Sequence, residues 1–314
     1  MNGTTVQLRA PRYVLGEIEE AHSAIPGLAE RIAEFQILPK PGFWGWGNIR
    51  RTEKGVEALA VDTGAATLRA AGITPAAVDA LVLCSTRIPV DTRNHGLFVQ
   101  TVMTGLGLDR ADFVGVTLGR CLNLLSALRV ATSMVVGGLH RCVLVITTDR
   151  AEDADRVEKF ALFSDGAASC LVMDARDGTA CTGPDDSVFE IAGSAAAHDI
   201  HRLEWRNEID SDLSREVNDR LLKPAGLAVE DIAGLFHSNI FRPIVTLKEM
   251  QAGFARAQLF TDNVARIGHC FAADPLINLV DQATAHRLHD GRHYLMAASV
   301  PGSRVGVLLR KNTP

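Results

Sequence analysis

Apolar residues recur along this chain in two forms, short unbroken runs and longer stretches with helical spacing. Runs such as ALVLC (80–84) and CVLVI (142–146) have strand length and no polar alternation, which predicts strands covered on both faces by helices. The segment from about 121 to 136, CLNLLSALRVATSMVV, is apolar nearly all round and predicts a helix buried between layers. The longest apolar stretch, 130 to 146, is interrupted by Gly137, Gly138, His140 and Arg141. It therefore reads as helix, turn and strand rather than as a membrane span.

The pattern occurs twice. AGITPAAVDALVLCS at 71–85 aligns without a gap against AGLAVEDIAGLFHSN at 225–239, and RCVLVIT at 141–147 answers to RHYLMAA at 292–298. In each copy a helix ends at Ala-Gly, a short turn follows, and a strand-length apolar run comes next. Each half reads strand, helix, strand, helix, strand and one further strand, AASCLVMDA (167–175) in the first and SRVGVLLRK (303–311) in the second. Such a repeat predicts an α/β duplication, five layers α-β-α-β-α with two helices in the middle. The halves are 1–175 and 176–314, parted near 176–190 where TACTGPDDS breaks the periodicity.

Composition narrows the function. The 314 residues are 47% hydrophobic and 22% charged with a net charge of -5, and no Lys/Arg block occurs, so nucleic acid is not an expected partner. The first residues lack the apolar core of a signal peptide, so a cytoplasmic protein is expected. The six cysteines form no CxxC pair and no zinc spacing with histidine, which predicts neither disulfides nor structural metal. No GxGxxG follows a strand, and GxxxxGK[ST], GxSxG and HExxH are absent, leaving dinucleotide, P-loop, esterase and zinc-protease sites without support.

Three residues at strand ends carry candidate chemistry. The run DFVGVTLGRC takes a strand into a tight Leu118-Gly119-Arg120 turn, and Cys121 opens the buried helix. A thiol there faces the unpaired N–H groups and positive dipole end that favour a thiolate and can hold an oxyanion. His237, in GLFHSN, sits in the repeated strand-end segment, and His269, in ARIGHCFAADPL, occupies the second half's equivalent of the Cys121 junction. If the halves pack about a pseudo-two-fold axis, the three converge.

These pieces resemble the β-ketoacyl-acyl-carrier-protein synthase III family of the thiolase-fold superfamily, across nearly the whole chain. That family's C-A-G-F-x-x-A-L is met by CLNLLSAL from Cys121, its H-Q-A-N-L-R by HSNIFR from His237, and its F-G-D-G-A-G-A by FSDGAAS at 163–169. The resemblance implies a duplicated thiolase fold and an acyl-enzyme on Cys121, with His237 and His269 as catalytic partners. It also implies an oxyanion hole from Cys121 and Gly302, and Arg242 in docking of a carrier. Substrates would be acyl-CoA or phosphopantetheine-linked thioesters, with no permanently bound cofactor and no metal, and the assembly a homodimer.

The chain departs from the pattern at several points. Asn123 replaces a glycine, Asn239 is shifted by one position, and His269 stands where G-N-T-S-A-A-S-x-P has its asparagine. The closing loop reads VPGSRVG, and the region from 176 to 223 is short for the family. The expected reaction is decarboxylative condensation with a malonyl thioester. Transfer of the acyl group to an alcohol or amine is the alternative, and a non-catalytic partner subunit is an alternative of another class.

Overall fold

The computed structural model describes residues 4–87, 92–176, 181, 183, 187–204 and 210–312. The first half comprises β1 (Val6–Leu15), α1 (Val56–Ala71), β2 (Ala80–Cys84), α2 (Thr92–Leu106), β3 (Asp112–Val116), α3 (Asn123–Val136), β4 (Cys142–Asp149) and β5 (Gly166–Asp174). The second comprises β6 (Val188–His198), α4 (Asp212–Leu222), β7 (Ile232–Phe236), α5 (Arg242–Gln251), β8 (Leu259–Phe260), α6 (Asp274–Thr284), β9 (His293–Val300) and β10 (Ser303–Lys311). The break expected at 176–190 falls largely on residues outside this description.

The repeat seen in the sequence is realised in the backbone. Gly72 and Gly226, which follow the two matching Ala residues, are both left-handed at φ 68 and end helical segments. Each is followed by one 3-10 turn and then by a strand of the same length, β2 in one half and β7 in the other. Only a residue without a Cβ takes that conformation cheaply, so the Ala-Gly pair fixes where both helices stop.

Strand order repeats as well. The sheet runs β8-β7-β9-β10-β6-β1-β5-β4-β2-β3, so each half orders its own strands third, second, fourth, fifth, first. In both halves the second strand lies parallel to the third and fourth, and the remaining pairs are antiparallel. The first strands meet antiparallel over Gln7–Arg9 and Val188–Glu190, and this seam makes one continuous ten-stranded sheet of the two halves.

Between the halves lie α3 and α6. Leu124, Leu125 and Leu128 of α3 and Leu276, Ile277 and Leu279 of α6 share one core with Val143 and Val172 of the first half and Met296 and Val307 of the second. The all-round apolar character of α3 follows from this central position, since each such side chain gains roughly 1.5–3 kcal/mol on full burial. Leu68 of α1 and Val102 of α2 cover the outer face of the first half, and Val217 and Leu221 of α4 that of the second. The layers thus run α-β-α-β-α, a thiolase fold. Among the described residues no helix is long and apolar enough to cross a membrane.

Candidate active site

Cys121 lies where β3 gives way to α3. The chain turns sharply through two non-glycine residues in the left-handed region, Leu118 (φ 68) and Arg120 (φ 55). Such conformations cost of order 1–3 kcal/mol each and persist only where the surroundings enforce them. Asn123 does so: its Oδ1 accepts the Gly119 N–H at 2.9 Å and its Nδ2 donates to the Ser85 carbonyl at 3.1 Å. Thr86 Oγ1 adds a bond to the Arg120 carbonyl at 3.2 Å. The residue that departs from the family glycine is therefore the clamp on this turn. The helix does not begin at Cys121 as expected; a single 3-10 turn, Arg120–Leu122, precedes α3. The thiol sits in that turn, half-buried.

From the second half, His269 reaches the thiol. Its Nε2 is 3.1 Å from Cys121 Sγ, and its Nδ1 makes a short hydrogen bond with Oδ2 of Asp274. Asp274 opens α6 and is held in turn, with Oδ1 accepting the Cys270 N–H at 2.7 Å and Oδ2 the Asn239 N–H at 2.6 Å. The His269 backbone is pinned to the FSDGAAS turn: its N–H donates to the Leu162 carbonyl and its carbonyl accepts from the Ser164 N–H, each at 2.9 Å. Gly268 before it has φ 68, and a Cβ there would stand 2.8 Å from the Leu162 carbonyl oxygen. Asp165 of the same turn carries no chemistry of its own, being buried in a two-bond ion pair with Arg156 at 2.9 and 3.0 Å. Burial alone would lower the His269 pKa, but the charges of Asp274 and Cys121 and the bonds to both raise it to about 10.

His237 meets different company. It follows β7, with Nδ1 3.2 Å from the Ser238 carbonyl oxygen. Its Nε2 faces Glu249 Oε1 at 3.4 Å and has no hydrogen-bond partner among the described residues. Glu249 is already taken by Arg304, at 2.5 Å on one oxygen and 3.0 Å on the other. Burial, together with the Arg304 and Lys248 charges, pushes the His237 pKa down to about 3 against the opposing charge of Glu249. Cys121 and His269 open on a cavity also lined by Phe163, Ile244, Lys248 and Val300; His237 does not line it. The structure brings two of the three strand-end residues together and leaves the third outside.

Gly302, at the turn between β9 and β10, has φ 68, and a Cβ there would stand 2.5 Å from the carbonyl carbon of Arg202. Its carbonyl accepts the Asp199 N–H at 2.8 Å, and the cavity is lined by its neighbours Val300, Pro301 and Ser303. Arg242 opens α5, half-buried, with its guanidinium 3.3 Å from where a Cβ on Gly45 would stand and its Nε without a hydrogen-bond partner among the described residues. Among the described residues no group of three or more His, Cys, Asp or Glu side chains is disposed to hold a metal.

The family model for 3-oxoacyl-[acyl-carrier-protein] synthase III matches residues 118–183, the stretch that contains Cys121 and the FSDGAAS turn. The β-ketoacyl-[acyl-carrier-protein] synthase III of Solibacter usitatus is 24% identical over 288 residues, covering 83% of this chain and 86% of the relative. Among solved structures, the 3-oxoacyl-[acyl-carrier-protein] synthase III of Aquifex aeolicus superposes with a TM-score of 0.77 at 18% identity, covering 97% of this chain and 99% of that one. Cerulenin-bound OleA of Xanthomonas campestris gives 0.81 at 15% identity, covering 99% and 100%. The acyltransferase ChlB3 gives 0.80 at 17%, covering 99% and 98%.

The chain thus has the thiolase fold and is similar to the synthase III family, most directly over the segment that carries Cys121. The likeness marks it as an enzyme of the transferase type; the synthase III-like enzymes it resembles use acyl-CoA or acyl-carrier-protein thioesters without a metal or permanent cofactor.

Set against the synthase III motif, the histidine in place of asparagine at 269 does not stand alone. Aligning GHCFAADP with G-N-T-S-A-A-S-x-P sets Asp274 on the position of the second serine. Sequence reading singled out His269 and passed over Asp274, although the paired exchange was the signal: an imidazole gained at one motif position and a carboxylate at another.

Proposed function

We propose that the protein is an acyltransferase that loads an acyl group from a CoA or carrier-protein thioester onto Cys121 and passes it to an alcohol or amine. The observation that carries this reading is His269, in contact with Cys121 Sγ through one ring nitrogen and with Asp274 through the other. That is the arrangement of nucleophile, base and orienting carboxylate.

In the first half-reaction the Cys121 thiolate attacks the thioester carbonyl, and the departing thiolate takes the proton from His269 Nε2. Acylation removes the negative charge on sulfur, so His269 is left neutral and able to accept a proton. In the second half-reaction the acceptor hydroxyl or amine gives its proton to Nε2 while its oxygen or nitrogen attacks the acyl carbon. Cys121 leaves as the thiolate, and Asp274 stabilises the imidazolium each time it forms. Backbone N–H groups at Cys121 and on the Val300–Ser303 turn, Gly302 among them, are the candidates to hold the oxyanion.

Condensation asks for something else, two neutral N–H donors on an enolate oxygen. Here one histidine is tied into an ion pair and the other stands outside the cavity, and both observations favour simple transfer. The reaction named for ChlB3, acyl transfer, is in keeping with this choice. The intact Cys121–His269–Asp274 set also speaks against a purely architectural subunit.

In this reading the enzyme works in the cytoplasm as a homodimer. Support for the dimer comes from β3, an edge strand that among the described residues pairs only with β2, with Phe113 in it and Leu118 just beyond it, 56% and 92% exposed. Arg242 is then a contact for an acidic carrier. Intact mass after incubation with butyryl-CoA tests the nucleophile: a butyryl adduct on the wild type and none on Cys121→Ala is expected. The loaded enzyme should then release its acyl group to a hydroxyl or amine acceptor. Malonyl-dependent release of carbon dioxide with a chain-extended product would overturn transfer in favour of condensation.

A further inference from the structure

Lys248 lines the same cavity as Cys121 and His269 and is 7% exposed. A buried ammonium costs several kcal/mol unless it is paired, so its partner is the question. The neighbouring Glu249 does not supply one, because both of its oxygens are engaged by Arg304. Two other carboxylates line the cavity. Asp210 receives Arg202 at 3.2 Å and caps the start of α4 through the Asp212 N–H at 2.9 Å. Burial raises the Glu158 pKa against the charges of Arg31 and Arg87. Asp210 and Glu249 each have their arginine, Glu158 forms no ion pair with Lys248, and the Lys248 ammonium makes no hydrogen bond or ion pair with any described residue. Its burial, the Arg304 charge beside it and the incomplete compensation by Glu249 and Asp210 bring its pKa down to about 8, which still leaves it mostly charged at neutral pH.

We infer that Lys248 is a specificity-determining residue that holds a carboxylate carried by one of the two substrates, within a cavity otherwise walled by Phe160, Phe163, Leu213, Ile240 and Ile244. A carboxylate bound there replaces the water that a buried ammonium lacks, and a neutral isostere leaves the cation unpaired, so discrimination comes from both sides of the comparison. The carboxylate sits either on the acyl donor, a dicarboxylic half-thioester, or on the acceptor, a hydroxy or amino acid. The inference rests on the acyl-transfer reading of this cavity, but it concerns binding and is separable from chemistry.

The test uses Cys121→Ala protein, which cannot be acylated, titrated in a calorimeter with two matched pairs. Succinyl-CoA against butyryl-CoA reports the donor, and 3-hydroxybutyrate against 3-hydroxybutyramide reports the acceptor. In one pair the carboxylate should bind about tenfold or more tightly than its neutral partner, as a charge-assisted bond requires. Lys248→Met on the same background should bring that ratio to one or below, and Lys248→Arg should retain most of it. Preference in the first pair assigns the carboxylate to the donor, and in the second to the acceptor. Equal affinities within both pairs, or a preference that survives Lys248→Met, overturn the inference. Because no acyl-enzyme is needed, its failure is distinct from a failure to load Cys121.

Discussion

His237 and His269 are the same side chain in nearly the same degree of burial, 3% and 2% exposed, yet the pKa of one is pushed to about 3 and that of the other to about 10. Each has a carboxylate beside it, Glu249 at 3.4 Å in one case and Asp274 in a short hydrogen bond in the other. What differs is who else holds the carboxylate. Arg304 takes both oxygens of Glu249, so its charge is spent before His237 can use it. Among the described residues, Asp274 is held besides His269 by the neutral backbone N–H groups of Asn239 and Cys270, which orient it without cancelling its charge. A buried histidine is thus made easy or hard to protonate by the second partner of its neighbour.

The sharpest break in this comparison is Asp274→Asn. It keeps the shape but removes the charge, and acyl transfer from the loaded enzyme, followed by decay of the adduct mass with an acceptor present, should slow by about 10³–10⁴. A loss smaller than tenfold would mean that His269 works without its carboxylate. Next in size is Arg304→Met, which strands Glu249 in the core; denaturant unfolding should show a loss of about 3–5 kcal/mol. The freed Glu249 charge should also move the His237 imidazole, followed by NMR, up towards 6.5; an unmoved resonance would show that burial alone sets it.

The smallest effect is a slope. The folded His237 pKa lies below its ordinary 6.5, so its contribution to stability is complete above about pH 6.5 and is lost as pH falls towards about 3. His269 runs the other way, with its contribution complete below about 6.5 and lost as pH rises through about 10. Melting temperatures of His237→Gln across pH 4 to 7 should lack part of the acid-side decline of the wild type, and His269→Asn part of the alkaline one. Slopes unchanged from the wild type in either variant would show that other groups set them.

Much of the fold was legible because its signals are local. Ala71-Gly72 and Ala225-Gly226 each stop a helix for reasons that lie within two residues, and the unbroken strands announce burial on both faces. Cys121 was legible for the same reason, as a thiol in a tight turn between a strand and an apolar helix. The two candidate histidines were visible only through the repeat and the family resemblance, and their expected convergence on the thiol is where reading by position ran out. Asp274 was overlooked because an aspartate before Pro275 at a helix start is unremarkable until the chain folds and His269 is found against it.

The sequence by itself therefore determined the duplicated α/β architecture, the placing of the nucleophile candidate at a strand-to-helix turn, and the resemblance to synthase III, since each rests on patterns read along the chain. The tertiary structure alone decided which histidine faces Cys121, which carboxylate remains free to charge it, and that Lys248 is left unpaired in the same cavity. The physical reason is that electrostatic roles in a buried site depend on how many partners compete for each charge, and those partners come from segments far apart in the chain.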